Sequence, residues 1–120
     1  VMESILNAED QIDAVYTHDD DMAQGVVAAI QNAGREDEMF LTGVGGSQAA
    51  MDQIKEGGLY RATFLYNPAM AASAVNMARL VAIGEGFPEL VPPEVPRQII
   101  VPAAVVTQDN VDEYEQYAFD

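Results

Sequence analysis

The chain has 120 residues, one ordinary domain at most, and its 5 basic and 20 acidic side chains give a formal net charge of −15. That charge excludes most nucleic-acid roles, which rest on Lys and Arg neutralising phosphates, and it disfavours an anionic membrane surface. Hydrophobic residues make up 49%, enough for a core, while the absence of Cys removes disulfide scaffolds and thiol chemistry and a lone histidine, His18, removes multi-histidine metal sites.

The opening Val1-Met2-Glu3-Ser4-Ile5-Leu6 has no basic segment leading into an apolar run, so it does not read as a signal peptide. Met2, Ile5 and Leu6 fall on one helical face. A helix lacking a start signal predicts the end of a longer helix, and hence a fragment. Ala14-Val15-Tyr16-Thr17-His18 suits a strand, followed by Asp19-Asp20-Asp21 as cap and first-turn acids. Met22, Ala23, Val26, Val27, Ile30 and Ala33 then follow a helical period that Gly34 stops.

The alternation repeats. Phe40 to Val44 predicts a second strand, Gly45-Gly46 a turn and Ser47 an N-cap. Ala50, Met51 and Ile54 mark a helix that Gly57-Gly58 ends, and Ala62 to Leu65 a third strand. Pro68 opens a helix running to about Gly84, too short and too interrupted by Ser73, Asn76 and Arg79 to span a bilayer. The rest of that helix is apolar almost all round, which predicts burial on more than one side, by another part of a parent protein or by a second copy. A Pro-rich connection covers Phe87 to Pro96. Extended runs over Gln98–Val101 and Ala103–Val106 and an acidic helix over Asn110–Tyr117 close the chain. Strand–helix alternation predicts an α/β fold with a doubly wound, mostly parallel sheet.

In such sheets the ligand crevice lies beyond the carboxyl ends of the strands. Three loops reach that edge: His18 to Asp21, Gly45-Gly46-Ser47 and Tyr66-Asn67-Pro68. The acids after the first strand suggest a metal or phosphoryl-acceptor site, but the later strand ends offer Gly45 and Tyr66 instead of a further acid. Capping plus a carboxylate facing a ligand fits better. Gly43-Val44-Gly45-Gly46-Ser47 fails the dinucleotide pattern, because Gln48 stands where its third glycine belongs, and no Gly-Lys-Ser/Thr follows. Tyr66 suits either a half-buried core tyrosine or a ring covering the C–H face of a sugar or polyol. His18 suits either a structural histidine or a ligand contact. Ser47 and His18 assemble no convincing nucleophile–base pair, so no catalytic residue, no metal and no cofactor are expected and the chain does not read as an enzyme.

These segments resemble a family. Ala14 to Gly25 resembles the "vfa-x-N-D-x-M-A-x-G" segment of type I periplasmic sugar-binding proteins, the ribose and galactose binder group. Thr42 to Ser47 is similar to that family's "v-G-x-D-G" turn, and Ala62 to Pro68 to its "A-T-v-x-Q-x-P" segment. Ile99 to Val111 resembles its carboxyl-terminal tail. The resemblance covers essentially the whole chain. It implies an incomplete carboxyl-terminal lobe of a two-lobed fold: residues 1–66 as βαβ units, 67–96 as a hinge crossing plus a helix packing on the other lobe, and 97–120 as a returning strand and tail. It implies capture of a neutral sugar or polyol, delivery to an ABC-type membrane permease, and a periplasmic or extracellular location. The alternative is the effector domain of a sugar-responsive transcription repressor. Matching positions make Asp19 and Tyr66 ligand-binding candidates, with His18, Gly45 and Asn67 beside them. The family's ligand-binding Asp falls on Gly45, which has no side chain, and Asp19 is expected to supply the lost carboxylate.

Overall fold

A computed structural model describes residues 1–67, 69–83 and 100–119, in two units: Val1–Leu65 with Ala104–Asp120, and Tyr66–Ala103. The first unit opens with helix α1 (Met2–Ala8), which buries Met2 and Leu6. Ile5 is 42% exposed, against the expectation that it shares their face. Met2 and Leu6, four residues apart, form a stripe narrow enough for packing on a single neighbouring helix, and Ile5 lies to its side.

Strands β1 (Ala14–Tyr16), β2 (Phe40–Gly45) and β3 (Tyr60–Leu65) pair in parallel, and β4 (Ala104–Thr107) adds antiparallel to β3, giving the order β1-β2-β3-β4. β1 is shorter than the Ala14–His18 expected, because Asp19 already turns into the next helix. Thr17 N nonetheless donates to Thr42 O at 2.9 Å. β3 begins two residues earlier than expected, at Tyr60. Of the two extended runs expected after residue 97, the second holds β4. Ile100 and Val101 lie in no strand, and Gln98 and Ile99 lie outside the described residues.

Helices α2 (Asp20–Ala33) and α3 (Gln48–Glu56) are the crossovers from β1 to β2 and from β2 to β3. Gly34 ends α2 at φ 65°, a left-handed cap that favours glycine. Both crossovers step the same way across the sheet, so a common right hand puts both helices on the same face. Burial agrees. Ala23, Val27 and Ile30 of α2 and Ala50, Met51 and Ile54 of α3 join Leu41, Tyr60, Leu65 and Val106 of the strands in one core. Burying each of the larger aliphatic side chains contributes about 1.5–3 kcal/mol. Met22, expected on that face, is 59% exposed. The acidic closing helix is a short α5 (Val111–Tyr114) plus a 3₁₀ turn at Glu115–Tyr117, and Val111 reaches the same core.

The pleat sends alternate residues to the opposite face. There Val44 pairs with Phe64 and Phe64 with Val105, while Tyr16 pairs with Thr42. Tyr16, Phe40, Phe64 and Val105 are all exposed. The helices of this unit thus cover one side of the sheet only.

In the second unit, α4 spans Met70–Ile83. Ala69 N donates to Asn67 Oδ1 at 2.9 Å and Met70 N to Asn67 O at 3.0 Å, so Asn67 shapes the turn into the helix. Val75, Leu80 and Val81 are exposed, as are Ala78 and Ala82. Pro68, the expected helix opener, and the stretch from Gly84 through the Pro-rich connection lie outside the described residues. Among the described residues no helix is long and apolar enough to cross a membrane.

Candidate functional site

The carboxyl ends of β1 and β2 are tied together by one buried side chain. Asp20, the first residue of α2, is 1% exposed. Its Oδ1 accepts from Tyr60 Oη at 2.6 Å, and Thr63 Oγ1 lies 2.9 Å from both carboxylate oxygens. Its Oδ2 also accepts from Gly46 N at 2.7 Å and Ser47 N at 2.9 Å. A buried charge is tolerable only with such donors around it, since an unpaired one carries a large desolvation cost. The position at a helix start adds a favourable dipole. Burial, and then the hydrogen bond to Asp20, push the Tyr60 phenol well above its ordinary value, so it stays a neutral donor.

This clamp explains Gly43. A Cβ there would collide with the Tyr60 hydroxyl and with Asp20 Oδ1. The β2–α3 turn is fixed further by Ser47, whose Oγ accepts from Ala50 N at 3.2 Å as the expected N-cap.

Asp19 stands beside the clamp and is only partly buried. Its Oδ1 accepts from Asp21 N at 2.9 Å and caps α2. Its Oδ2 accepts no hydrogen bond among the described residues, leaving an acceptor for a ligand hydroxyl. His18 is exposed, and its ring meets Tyr16 edge-on with centroids 5.2 Å apart. Gly45, the last residue of β2, has φ 135°, a conformation that side-chain-bearing residues rarely adopt. The structure therefore brings Asp19 and Gly45 to a common edge, linked through Asp20, with His18 preceding them. Tyr66 follows β3 directly and is 42% exposed, in the second unit with Asn67.

Two residues escaped the sequence reading. Asp20 looked like one of three interchangeable acids at a helix start; only its long-range donors distinguish it. Phe119 carried no signal at all. It pairs with Ser47 in an isolated bridge, and its ring lies beside Gly45. The arrangement offers a carboxylate acceptor and an aromatic ring. Among the described residues no cluster of three His, Asp or Glu is placed to hold a metal ion.

Comparison with known proteins identifies the family and the fold. Residues 1–86 match the periplasmic binding protein domain family. The ribose import binding protein of Salmonella typhimurium is 32% identical over 85 residues, which cover 71% of this chain and 28% of that protein. A solute-binding protein of an ABC transporter from Bacillus halodurans, solved with bound myo-inositol, superposes with a TM-score of 0.75 at 31% identity, over 96% of this chain and 37% of its own. Another from Mycobacterium smegmatis, solved with bound glycerol, gives 0.79 at 30% identity, over 93% and 36%. The chain thus spans little more than a third of the length of the solved relatives it matches.

Proposed function

We propose that this chain, which belongs to the periplasmic binding protein family, forms part of the carboxyl-terminal lobe of a receptor that captures a neutral sugar or polyol for an ABC-type importer. The family is one of solute-binding proteins, not enzymes. The observation that carries the ligand class is Asp19. It is a carboxylate at a strand end with one oxygen engaged in capping and the other accepting no hydrogen bond among the described residues, in a chain of formal charge −15 that disfavours anionic ligands. A hydroxyl donates to such an acceptor without bringing charge of its own. The relatives' ribose, myo-inositol and glycerol are all neutral polyhydroxy compounds, which supports the same class.

Residues 67–96 are assigned to the crossing and to a helix that packs on the other lobe. The exposed Val75, Leu80 and Val81 of α4 support that assignment, because so much apolar surface is unfavourable in water. The receptor works in the periplasm, next to its membrane permease.

The test is thermal unfolding of the full-length protein with D-ribose, myo-inositol and glycerol. A ligand at one hundred times its Kd adds about 2.7 kcal/mol of stability and raises Tm accordingly. Stabilisation by at least one neutral compound, and none by nucleotides or sugar phosphates, is expected. A response confined to charged ligands, or turnover of the sugar, would overturn the reading.

A further inference from the structure

We infer that Phe119 is a specificity-determining residue of the strand-end crevice, where its ring forms an aromatic wall in place of a side chain at Gly45. This rests on the receptor reading above. The carboxyl-terminal segment is pinned to the β2–α3 turn: Ser47 and Phe119 form a parallel bridge, and Gln48 N donates to Phe119 O at 2.9 Å. The ring reaches the end of β2. Its Cζ lies 3.4 Å from the point where a Cβ on Gly45 would stand, and Asp20 Oδ2 lies 3.5 Å from that point. The ring and the carboxylate of Asp20, the residue next to Asp19, therefore flank Gly45.

Burial alone does not account for the ring. Tyr114 and Ala118 of the same segment are partly buried against the core, whereas Phe119 is 45% exposed. A half-exposed aromatic held by its backbone at a strand end is poised for contact with a ligand. Gly45 offers no side-chain acceptor, and its φ of 135° disfavours any residue that would. The ring itself can cover a C–H surface but offers a hydroxyl no side-chain acceptor. A furanose, pyranose or cyclitol presents such a face rigidly. An open-chain polyol must order several torsions to do so.

Calorimetric titration of the full-length protein with D-ribose and myo-inositol as ring probes, and ribitol as the open-chain probe, tests this. Phe119→Ala is expected to weaken the better ring ligand about five- to tenfold and ribitol less than twofold. Phe119→Tyr keeps the π-face and should retain the ring preference; Phe119→Leu keeps apolar bulk and should lose it. That pair decides the matter even if Phe119→Ala fails to fold. Leu behaving as wild type, or equal weakening of ring and chain ligands, would overturn the inference and leave the receptor reading intact. Failure of the wild-type protein to bind any of the three, or glycerol, would overturn both.

Discussion

Replacing Asp20 by Asn turns an all-acceptor carboxylate into an amide with one acceptor oxygen and a donor group. That donor would face either the Gly46 and Ser47 amides or the Tyr60 hydroxyl, all of them donors to Asp20 now. A buried donor without a partner costs about 1–3 kcal/mol, so Asp20→Asn should lower unfolding stability by about 2–4 kcal/mol in denaturant titration. Asp19→Ala should behave in the opposite way. It removes a helix cap worth about 1 kcal/mol, but under the proposed function it also removes a charged acceptor, weakening sugar binding about ten- to a hundredfold. Calorimetry of the two variants separates the roles: a large stability loss with Asp20→Asn, a large affinity loss with Asp19→Ala. Unchanged affinity in Asp19→Ala would remove Asp19 from the site. Adjacent acids in the sequence have different surroundings because a single step along the chain carries the side chain from a partly exposed position into the core.

Between elements, the junction of α1 and α2 depends on one arginine. Arg35, just past the Gly34 cap, donates through Nη1 to Leu6 O at 2.6 Å and Glu9 O at 3.0 Å, and through Nη2 to Asp10 O at 3.2 Å. It thereby satisfies carbonyls at the end of α1 that the helix itself leaves open. Glu38 accepts from Arg35 Nε at 2.7 Å and from Ile12 N at 2.6 Å. The Arg35 hydrogen bond, then the Ile12 amide, hold the Glu38 carboxyl below its usual range. A depressed folded-state value means the stabilisation is complete above the ordinary glutamate value and disappears as pH falls through the folded one. Amide hydrogen exchange in α1 should therefore accelerate on acidification below about pH 4.5, relative to the β2 and β3 amides. Glu38→Gln should flatten that pH dependence. A similar tie joins α3 to the closing segment, where Lys55 Nζ lies 2.7 Å from Asp112 and 3.0 Å from Glu115; the Asp112 hydrogen bond and then that of Glu115 push the amine up to about 12. That pair is largely solvated and should matter little to stability.

For the molecule as a whole, apolar surface is the deciding quantity. The first unit leaves Tyr16, Phe40, Phe64 and Val105 exposed on the uncovered face of its sheet, and α4 of the second leaves Val75, Leu80 and Val81 exposed. Surfaces of this kind mark association sites. The 120-residue chain alone should self-associate at micromolar concentration in multi-angle light scattering, despite the mutual repulsion expected from a charge of −15. A full-length receptor should be monomeric under the same conditions. A monodisperse monomer of the short chain would argue against the assignment of residues 67–96 to another lobe.

The sequence by itself determined the order and type of the elements. Local signals act within a turn or two of the chain: Asp19 and Ser47 cap their helices, Gly34 stops one, and alternation of strand and helix dictates a parallel sheet with right-handed crossovers. It also predicted which strand ends share an edge, since that follows from topology alone, and the structure brings Asp19 and Gly45 to that edge. Residue by residue it was less legible where faces compete. Ile5 and Met22 carry the apolar period yet are exposed, because a periodic pattern gives a face without saying how wide a neighbour will cover it. Only the tertiary structure decided what Asp20 and Phe119 do. Their partners lie far away in the chain, Tyr60 and Thr63 for the one and Gly45 for the other, and contacts of that range leave no period or motif in a single sequence. They exist because the folded sheet places three strand ends and a carboxyl-terminal tail together, and a buried charge there must find donors wherever the fold supplies them.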